Sequence, residues 1–349
     1  MSLVFKDNSP YRDDFAFCAD YLPKVSRTFA LNIRILKGDA YRGVLLAYLL
    51  CRIADTIEDD HYFPVHFKIQ KLSEYSSLFP PLPDFKDQIR VFLTNVSFQQ
   101  NTSASTLVMN TLRVFNELVK LPEGIVSVIS RHVKEMALGM ASFQEKGLNK
   151  NQAFIENQSE LDQYCYYVAG TVGLMLTSIF AAESKKISFE VKMRLEQRSV
   201  PFGLGLQLTN IAKDFVEDRK RGWCYIPRSF FREEGIDPWS DDSIMEESVR
   251  LLGVEKRIIN HALSYLDEAL RYIMDIPRTL IRFRLFCVWP LFTAVKTLSK
   301  LYQEHSFLSG QRVKISRKEV RHITRNTSLV VLSNKALRFL YNNLRPLIR

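Results

Sequence analysis

The chain is poor in glycine, proline and cysteine, and it contains no tract of five or more basic residues. With 13 glycines and 13 prolines in 349 residues, turn-forming residues are too sparse to separate many short strands. The five cysteines are scattered and form no Cys-x-x-Cys pair, which argues against a disulfide framework and against a zinc site. These absences favour long helices and a reducing, cytosolic-side location.

The motifs of several function classes are also missing. No RNP, zinc-finger or helix-turn-helix signature is present, so we predict no nucleic-acid partner. No Gly-x-x-x-x-Gly-Lys-Ser/Thr loop is present, which argues against a P-loop nucleotide site. A di-iron bundle needs two Glu-x-x-His pairs, and Glu58 with His61 is the sole match. The formal net charge of +10 then suits a diphosphate substrate or a lipid headgroup surface.

Residues 1–20 and 164–182 are the two segments that bear on membrane insertion or targeting. Residues 1–20 carry several charges and lack an apolar core, which predicts no signal peptide. Residues 164–182 are uncharged and close to the length needed to span a bilayer, but their Gly, Thr, Ser and Tyr residues dilute the apolar character. We therefore expect a buried central helix there rather than a membrane span.

Apolar residues recur at helical spacing along almost the whole chain. The sharpest break is the proline cluster within residues 79–83, which a helix cannot cross. No segment has the composition of a long linker, and no repeat of fixed period appears. The pattern predicts an all-α fold in which residues 1–349 form a single domain.

Two segments about 160 positions apart each carry a pair of aspartates four residues apart. On a helix, Asp55 and Asp59 project from one face, in a stripe that also holds Tyr48 and Arg52. The second segment repeats this arrangement with a stripe of Gln207, Asn210, Asp214 and Asp218. The flanks at 44–51 and 202–208 are strongly apolar, which indicates that both helices are largely buried.

Paired carboxylates on buried helices need a compensating cation, because like charges four residues apart destabilise a helix. Carboxylate oxygens from two helices suit Mg²⁺, which keeps several waters and takes part of its shell from phosphate. The sequence therefore predicts chemistry on a diphosphate with magnesium.

Four segments then form a recognisable set. They read Ser-Arg-Thr-Phe at 26–29, Arg-Ile-Ala-Asp-Thr-Ile-Glu-Asp at 52–59, Tyr-Cys-Tyr-Tyr-Val-Ala-Gly-Thr-Val-Gly at 164–173 and Gln-Leu-Thr-Asn-Ile-Ala-Lys-Asp-Phe-Val-Glu-Asp at 207–218. In order and spacing they resemble the squalene/phytoene synthase family over about residues 20–325. The resemblance implies an isoprenoid-synthase fold with helices around a central active-site cavity. It also implies a prenyltransferase that joins two prenyl diphosphates head to head.

The same resemblance implies roles for individual residues. The metal, magnesium with manganese as an alternative, would be held by Asp55, Asp59, Asp214 and Asp218. Positions that handle diphosphate or its metals are matched by Ser26, Arg27, Arg52, Gln207 and Asn210. The tyrosine at the reacting centre is matched by Tyr164.

Phe29, Tyr48 and Gly173 each have two interpretations, and Val168 is expected in the cavity wall. The ring faces of Phe29 and Tyr48 would stabilise a carbocation, or both residues are ordinary core aromatics. Val168 lies on one helical stripe with Tyr164, and Gly173 would leave room for a prenyl chain in a cavity wall. Gly173 would equally serve close packing between helices.

The motifs give opposing signals about the final product. In this family, squalene synthases reduce the cyclopropyl intermediate with NADPH, whereas phytoene and dehydrosqualene synthases lose a proton instead. Phe286 and Pro290 lie in a Phe-Cys-x-x-Pro segment that resembles one in squalene synthases, and we expect both to contact substrate. The loop with Arg312, Lys314 and Arg317 also resembles one of theirs, and its cations would engage NADPH or form a solvated surface.

The opposing signal is the Arg-Gly-x-x-Tyr-x-Pro segment at 221–227, a form common in phytoene synthases. We expect squalene synthesis from farnesyl diphosphate. The alternatives are phytoene or dehydrosqualene synthesis, an enzyme that stops at presqualene diphosphate or hydroxysqualene, and a non-catalytic assembly-factor relative.

Residues 326–349 form a basic amphipathic tail in which leucines alternate with Lys335, Arg338, Arg345 and Arg349. This tail is too charged to span a bilayer but suits an anionic surface. Because squalene is insoluble, we expect a cytoplasmic monomer that associates peripherally with the cytoplasmic face of a membrane.

Overall fold

The computed structural model describes residues 13–148, 153–220, 223–237, 246–310 and 313–346. The described chain is almost entirely helical, so the predicted all-α class is confirmed. The helices are α1 (Asp14–Val25), α2 (Arg27–Ile33), α3 (Gly38–Asp59), α4 (Val65–Ser77), α5 (Phe85–Phe92), α6 (Ser103–Met109), α7 (Thr111–Leu118), α8 (Glu123–Leu148), α9 (Gln158–Cys165), α10 (Thr171–Glu183), α11 (Phe189–Lys220), α12 (Arg228–Glu233), α13 (Glu246–Asp275), α14 (Ile281–Glu304), α15 (Ser306–Ser309), α16 (Arg317–Val330) and α17 (Asn334–Leu344).

Helix boundaries follow capping residues and prolines. The Ser26 side chain accepts a hydrogen bond from the Phe29 backbone N–H and so begins α2. Ser316 and Glu319 form a capping box at the start of α16, in which each side chain accepts a bond from the other residue's backbone N–H. The proline cluster at 80–83 falls between α4 and α5, as its geometry requires.

Helix α11 runs through the middle of the structure and packs along α13, with α10 and α14 also against it. Two glycines allow α11 to approach α10 and the helical turn before it closely. A Cβ on Gly173 would lie 2.1 Å from the backbone oxygen of Ser199, and one on Gly203 would lie 2.2 Å from that of Ala169. The backbones therefore touch at positions where any side chain would push the helices apart.

The uncharged stretch at 164–182 forms the end of α9, a π-helical turn (Tyr166–Gly170) and α10. By length and composition alone, the continuous helical run Gln158–Glu183 passes as a candidate membrane span. It packs against α3, α8 and α11, and several of its half-buried residues, among them Val168, Val172 and Leu176, line an internal cavity. Only 39% of the most apolar 18-residue window of this run is buried. Part of the remaining surface faces the cavity.

Two other features position chain segments. The strands β1 (Ala153–Phe154) and β2 (Trp223–Cys224) pair in parallel, which ties the segment after α11 to the start of α9. At the C-terminus, Leu337 and Tyr341 of α17 are buried, and the Arg345 guanidinium donates to both carboxylate oxygens of Asp267 at 3.0 and 3.1 Å. One face of α17 is thus packed onto the fold.

Candidate active site

A cavity of about 330 Å³ lies between α2, α3, α8, α10, α11 and α14. Most of its wall is apolar, formed by aliphatic and aromatic side chains that include Phe29, Ile33, Met136, Val168, Leu176, Phe180, Phe202 and Phe286. Its charged and amide lining comes from four residues of the two predicted stripes, namely Arg52, Asp55, Gln207 and Asn210. An apolar chamber with these polar groups on α3 and α11 matches the organisation of a small-molecule site.

The α3 stripe leads from the cavity towards solvent. Tyr48, Arg52 and Asp55 line the cavity, whereas Asp59, one turn further on, is exposed. The Arg52 Nε is buried and has no hydrogen-bond partner among the described residues. A buried guanidinium donor beside a cavity fits an anionic ligand, because such a donor is costly when left unbonded.

The α11 stripe is arranged in the same way. Gln207 and Asn210 line the cavity, and the half-buried Asp214 and Asp218 follow at the next turns of the helix. The Lys213 ammonium lies 3.1 Å from the Asp214 carboxylate and 3.4 Å from the side-chain oxygen of Asn210. Both predicted stripes therefore reach the same cavity, and each continues beyond it with aspartates.

The carboxylates on α3 repel one another electrostatically. The pKa of Asp55 is raised to about 7, chiefly by burial; the Arg52 charge opposes this rise, and the Asp59 charge adds to it. Burial also raises the pKa of Glu58 to about 8, assisted by both aspartates. A divalent cation beside such a group would relieve the repulsion, so the donor set fits magnesium chemically.

Within the described residues, no three His, Cys, Asp or Glu side chains converge to form an ion site by themselves. Each aspartate pair alone would supply only part of a coordination shell. This fits a hard cation whose remaining ligands are water and phosphate oxygens, rather than a closed protein cage.

The predicted aromatic residue Phe29 lies beside Tyr48 of the α3 stripe. The rings of Phe29 and Tyr48 lie 5.4 Å apart between centroids, and both line the cavity. Burial raises the pKa of Tyr48, and a hydrogen bond with the Ser26 side chain opposes that rise. Ser26 does not line the cavity itself but forms a hydrogen bond with Tyr48, which does. The side chain of Arg27 lies outside the described part of the structure.

The cavity wall contains Val168, Gly173, Phe286 and Pro290, all four predicted to contact substrate. Gly173 has two functions at once, because it lines the cavity and allows the close contact with Ser199. Phe286 extends an aromatic cluster, since its ring meets that of Phe180 edge-on at 5.6 Å.

Tyr164 lies beside the cavity rather than in its lining. It is buried against Glu58 in a small pocket, where its ring stacks on Tyr225 with 4.9 Å between centroids. Burial raises the pKa values of both tyrosines well above the ordinary range. Sequence reasoning assigned no role to Tyr225 or Glu58, although both lie in motifs that it quoted.

The basic loop lies apart from the cavity. Lys314 and Arg317 are exposed and do not line it, and Arg312 lies outside the described residues. Phe307, just before this loop, stacks on Phe215 at 4.2 Å, and Phe215 follows Asp214 directly. The chain therefore enters the loop near the acidic end of α11.

A family model described as Squalene/phytoene synthase matches residues 22–319. The chain belongs to the squalene/phytoene synthase family. This is a family of prenyltransferase-type enzymes, and its model covers all four predicted motifs.

The curated relatives include squalene synthases from Homo sapiens and Rattus norvegicus. The human protein is 31% identical over 298 residues, which are 84% of this chain and 65% of that protein. The rat protein is 28% identical over 312 residues, 87% of this chain and 68% of that protein. The chain thus spans about two thirds of the length of these relatives.

An Arabidopsis thaliana protein named inactive squalene synthase 2 is also 28% identical, over 305 residues that cover 86% of this chain and 68% of that protein. Similarity at this level therefore does not separate active members from inactive ones.

Solved structures show the same fold. The complex of TcSQS with the ligand E5700 has a TM-score of 0.75 at 24% identity, covering 95% of this chain and 97% of that one. A dehydrosqualene synthase in complex with a ligand has a TM-score of 0.57 at 20% identity, covering 94% and 97%. At these identities the likeness concerns the fold.

Proposed function

We propose that the protein is a squalene synthase that condenses two molecules of farnesyl diphosphate head to head and reduces the product with NADPH. One observation carries this proposal: the polar stripes of α3 and α11 reach a single cavity whose remaining wall is largely apolar. The family and the curated relatives support it.

The polar residues provide for loss of diphosphate. Arg52 would donate to the leaving group as negative charge develops there, and Gln207 and Asn210 would hold its oxygens in place. Magnesium, when bound, would act as a Lewis acid towards the diphosphate. The residues that would hold it are Asp55, Asp59, Asp214 and Asp218.

The apolar wall provides for the allylic cation left behind. A cavity lined by aliphatic and aromatic groups keeps water away from the cation and so prevents its hydrolysis. The faces of Phe29 and Tyr48 lie next to the Arg52 side of the cavity and would stabilise positive charge there.

The complete reaction has two stages. In the first, a bond forms between two farnesyl units with release of one diphosphate and one proton, which gives presqualene diphosphate. In the second, the other diphosphate leaves and the carbocation accepts a hydride, which gives squalene; NADPH, when bound, would supply that hydride and become NADP⁺. Lys314, Arg317 and Arg312 are proposed to engage the cofactor's phosphates, supported by the course of the chain from Phe307 into this loop.

A second candidate is the same condensation completed by proton loss, as in phytoene and dehydrosqualene synthases. One specific observation favours it. Tyr225, from the Arg-Gly-x-x-Tyr-x-Pro segment, stacks directly on Tyr164.

We further propose that the chain acts as a single-domain monomer at the cytoplasmic face of a membrane. Three exposed apolar side chains support this, namely Leu329, Leu332 and Phe339 on the last two helices and their connection. The same region carries the basic residues Arg325, Lys335 and Arg338, which suit anionic headgroups.

The deciding experiment is incubation of the full chain with farnesyl diphosphate and magnesium, with and without NADPH, followed by product analysis. Squalene formed only with NADPH is the expected result. Dehydrosqualene in both reactions would favour the second candidate. No product from farnesyl or geranylgeranyl diphosphate, in a protein that still binds them, would indicate a non-catalytic relative.

A further inference from the structure

A second concave site lies away from the reaction cavity, between the proline-containing loop after α4 and the first half of α8. Its volume is about 560 Å³, within the range of small-molecule sites. The apolar part is formed by Phe79, Pro80, Pro81, Val119, Leu121 and Val126. We call this site the α8 groove.

The polar part of the α8 groove is a cluster on one face of α8. Arg131 and Lys134 are exposed cations three positions apart, and the Lys134 ammonium donates to the Phe79 backbone oxygen at 3.4 Å. Glu123 is the sole carboxylate among the described residues that line the groove. Two cations and one anion leave a net charge of +1, which favours an anionic ligand.

Ser130 provides an independent sign of a ligand site. It is only 2% exposed, it lines the groove, and its Oγ is buried without a hydrogen-bond partner among the described residues. A serine inside a helix usually bonds a carbonyl of the preceding turn or reaches solvent. A buried hydroxyl without a partner costs free energy, and an acceptor bound in the groove would remove that cost.

The groove is separate from the reaction cavity. Met136 of α8 lines the cavity, whereas Ser130, Arg131 and Lys134 line the groove. At 3.6 residues per turn, Met136 points roughly 160° away from Lys134 around the helix axis. The two sites therefore lie on opposite sides of one helix and share no lining residue.

We propose that the α8 groove binds a single-chain anionic amphiphile, an alkyl or prenyl chain that ends in a carboxylate or phosphate. The head would accept hydrogen bonds from Arg131, Lys134 and Ser130, while the chain would cover Phe79, Pro80 and Leu121. We propose a free amphiphile rather than a lipid in a bilayer for two reasons. The site is concave rather than flat, and its lining includes the carboxylate of Glu123, which an anionic membrane surface would repel. This inference does not rest on the proposed synthase activity.

The test is equilibrium dialysis of the full chain against dodecyl phosphate below its critical micelle concentration. The double variant R131Q/K134Q should raise the Kd of one class of sites about ten-fold or more, since two charge-assisted hydrogen bonds are lost. K185Q/K186Q, which removes the same charge from exposed positions just after α10, should leave that Kd within about two-fold. Dodecanol and inorganic phosphate should each bind at least ten-fold more weakly than dodecyl phosphate, because each lacks half of the ligand.

S130A distinguishes a ligand contact from a structural role. It should weaken dodecyl phosphate binding several-fold without lowering the Tm, because the lost hydroxyl has no partner among the described residues. R52Q, in the reaction cavity, should leave this class of sites unchanged. The proposal is wrong if R131Q/K134Q and K185Q/K186Q bind alike, if binding falls only in R52Q, or if only phosphatidylglycerol vesicles respond to the groove variants.

Discussion

The ring of Tyr225 stacks on the ring of Tyr164, with 4.9 Å between centroids and 24° between planes. The contact depends on the short parallel pairing of β2 with β1, which brings the segment after α11 back to α9. Trp223 continues the stack, with its ring 5.9 Å from that of Tyr225. Tyr164, the predicted residue of the reacting centre, is thus held by an aromatic partner 61 positions later in the chain.

We therefore expect Tyr225 to act as a positioning residue. Tyr225→Leu should lower kcat about ten-fold with little change in KM, because the orientation of Tyr164 is lost while the diphosphate groups are untouched. Tyr225→Phe keeps the stack and should retain most of the activity. Steady-state kinetics with farnesyl diphosphate check both variants, and equal losses in the two would instead point to a direct role of the Tyr225 hydroxyl.

The aspartate pairs should be required for the first half-reaction. Asp55→Asn and Asp214→Asn should each lower formation of presqualene diphosphate by about 100-fold or more, because each removes a carboxylate proposed to hold magnesium. Circular dichroism should show an unchanged helix content. Glu190→Gln, the same chemical change at an exposed position near the start of α11, is the matched control and should keep wild-type turnover. Near-normal product from either aspartate variant would refute the metal assignment.

A buried arginine connects the C-terminal helices to the core. The fully buried Arg284 donates to the backbone oxygens of Val331 and Ile276 and to the Asn334 side chain, at 2.9, 2.8 and 2.6 Å. Arg284→Met should lower the free energy of unfolding by about 3 kcal/mol, because three acceptors lose their donor. Arg282→Met removes an exposed arginine with one such bond, to Ile35, and should cost less than about 1 kcal/mol. Denaturant titration measures both, and similar losses would contradict this account.

Glu255 should make stability depend on pH. It is buried, and its carboxylate accepts hydrogen bonds from Ser306 Oγ at 3.0 Å and the Phe307 N–H at 3.3 Å. Burial nevertheless raises its pKa to about 7. Since the folded pKa lies above the unfolded one, this group's contribution is fully present below about pH 4.5 and is lost as the pH rises through about 7.

Glu255→Gln removes this titration while keeping an acceptor for both bonds. The stability of the wild type relative to Glu255→Gln should therefore fall, by up to about 3 kcal/mol, between pH 4 and pH 8. Unfolding curves for the two proteins across this range measure the difference, in which the other titrating groups cancel. A difference that is independent of pH, or that grows towards pH 8, would show that the pKa is not raised.

Close packing at Gly173 gives a further prediction. Gly173→Ala should lower the free energy of unfolding by about 2 kcal/mol, because its Cβ would collide with the backbone oxygen of Ser199. Ala169 is a neighbouring small residue on the same helical run, and Ala169→Gly adds no atoms and serves as the control for backbone effects, at a cost of about 1 kcal/mol. Thermal unfolding compares the two, and a harmless Gly173→Ala would mean that α10 and α11 can separate freely.

Much of the fold was predictable because helical periodicity is a local property. The spacing of apolar residues around Tyr48 and Leu49 indicated helix before any contact was known, and the prolines at 80–83 marked a break. The two acidic stripes were predictable for the same reason, since residues four apart share a helix face wherever the helix lies. The chemical type of the candidate site followed from those side chains.

What the sequence could not supply is the placement of residues that meet through tertiary packing. Nothing local joins Tyr164 to Tyr225, turns Ser130 towards a groove beside Phe79, or removes the basic loop from the cavity wall. The double role of Gly173 could not be predicted either, because it depends on the position of Ser199 on the neighbouring helix.

The sequence by itself determined the helices, the paired aspartates and the family to which they belong. Only the tertiary structure decided that both stripes open into one cavity, that Tyr164 lies beside it with Tyr225, and that α17 packs on the core through Leu337 and Tyr341. The physical reason is that a helix face is set by residues within one or two turns, whereas a cavity is set by how distant helices pack around it.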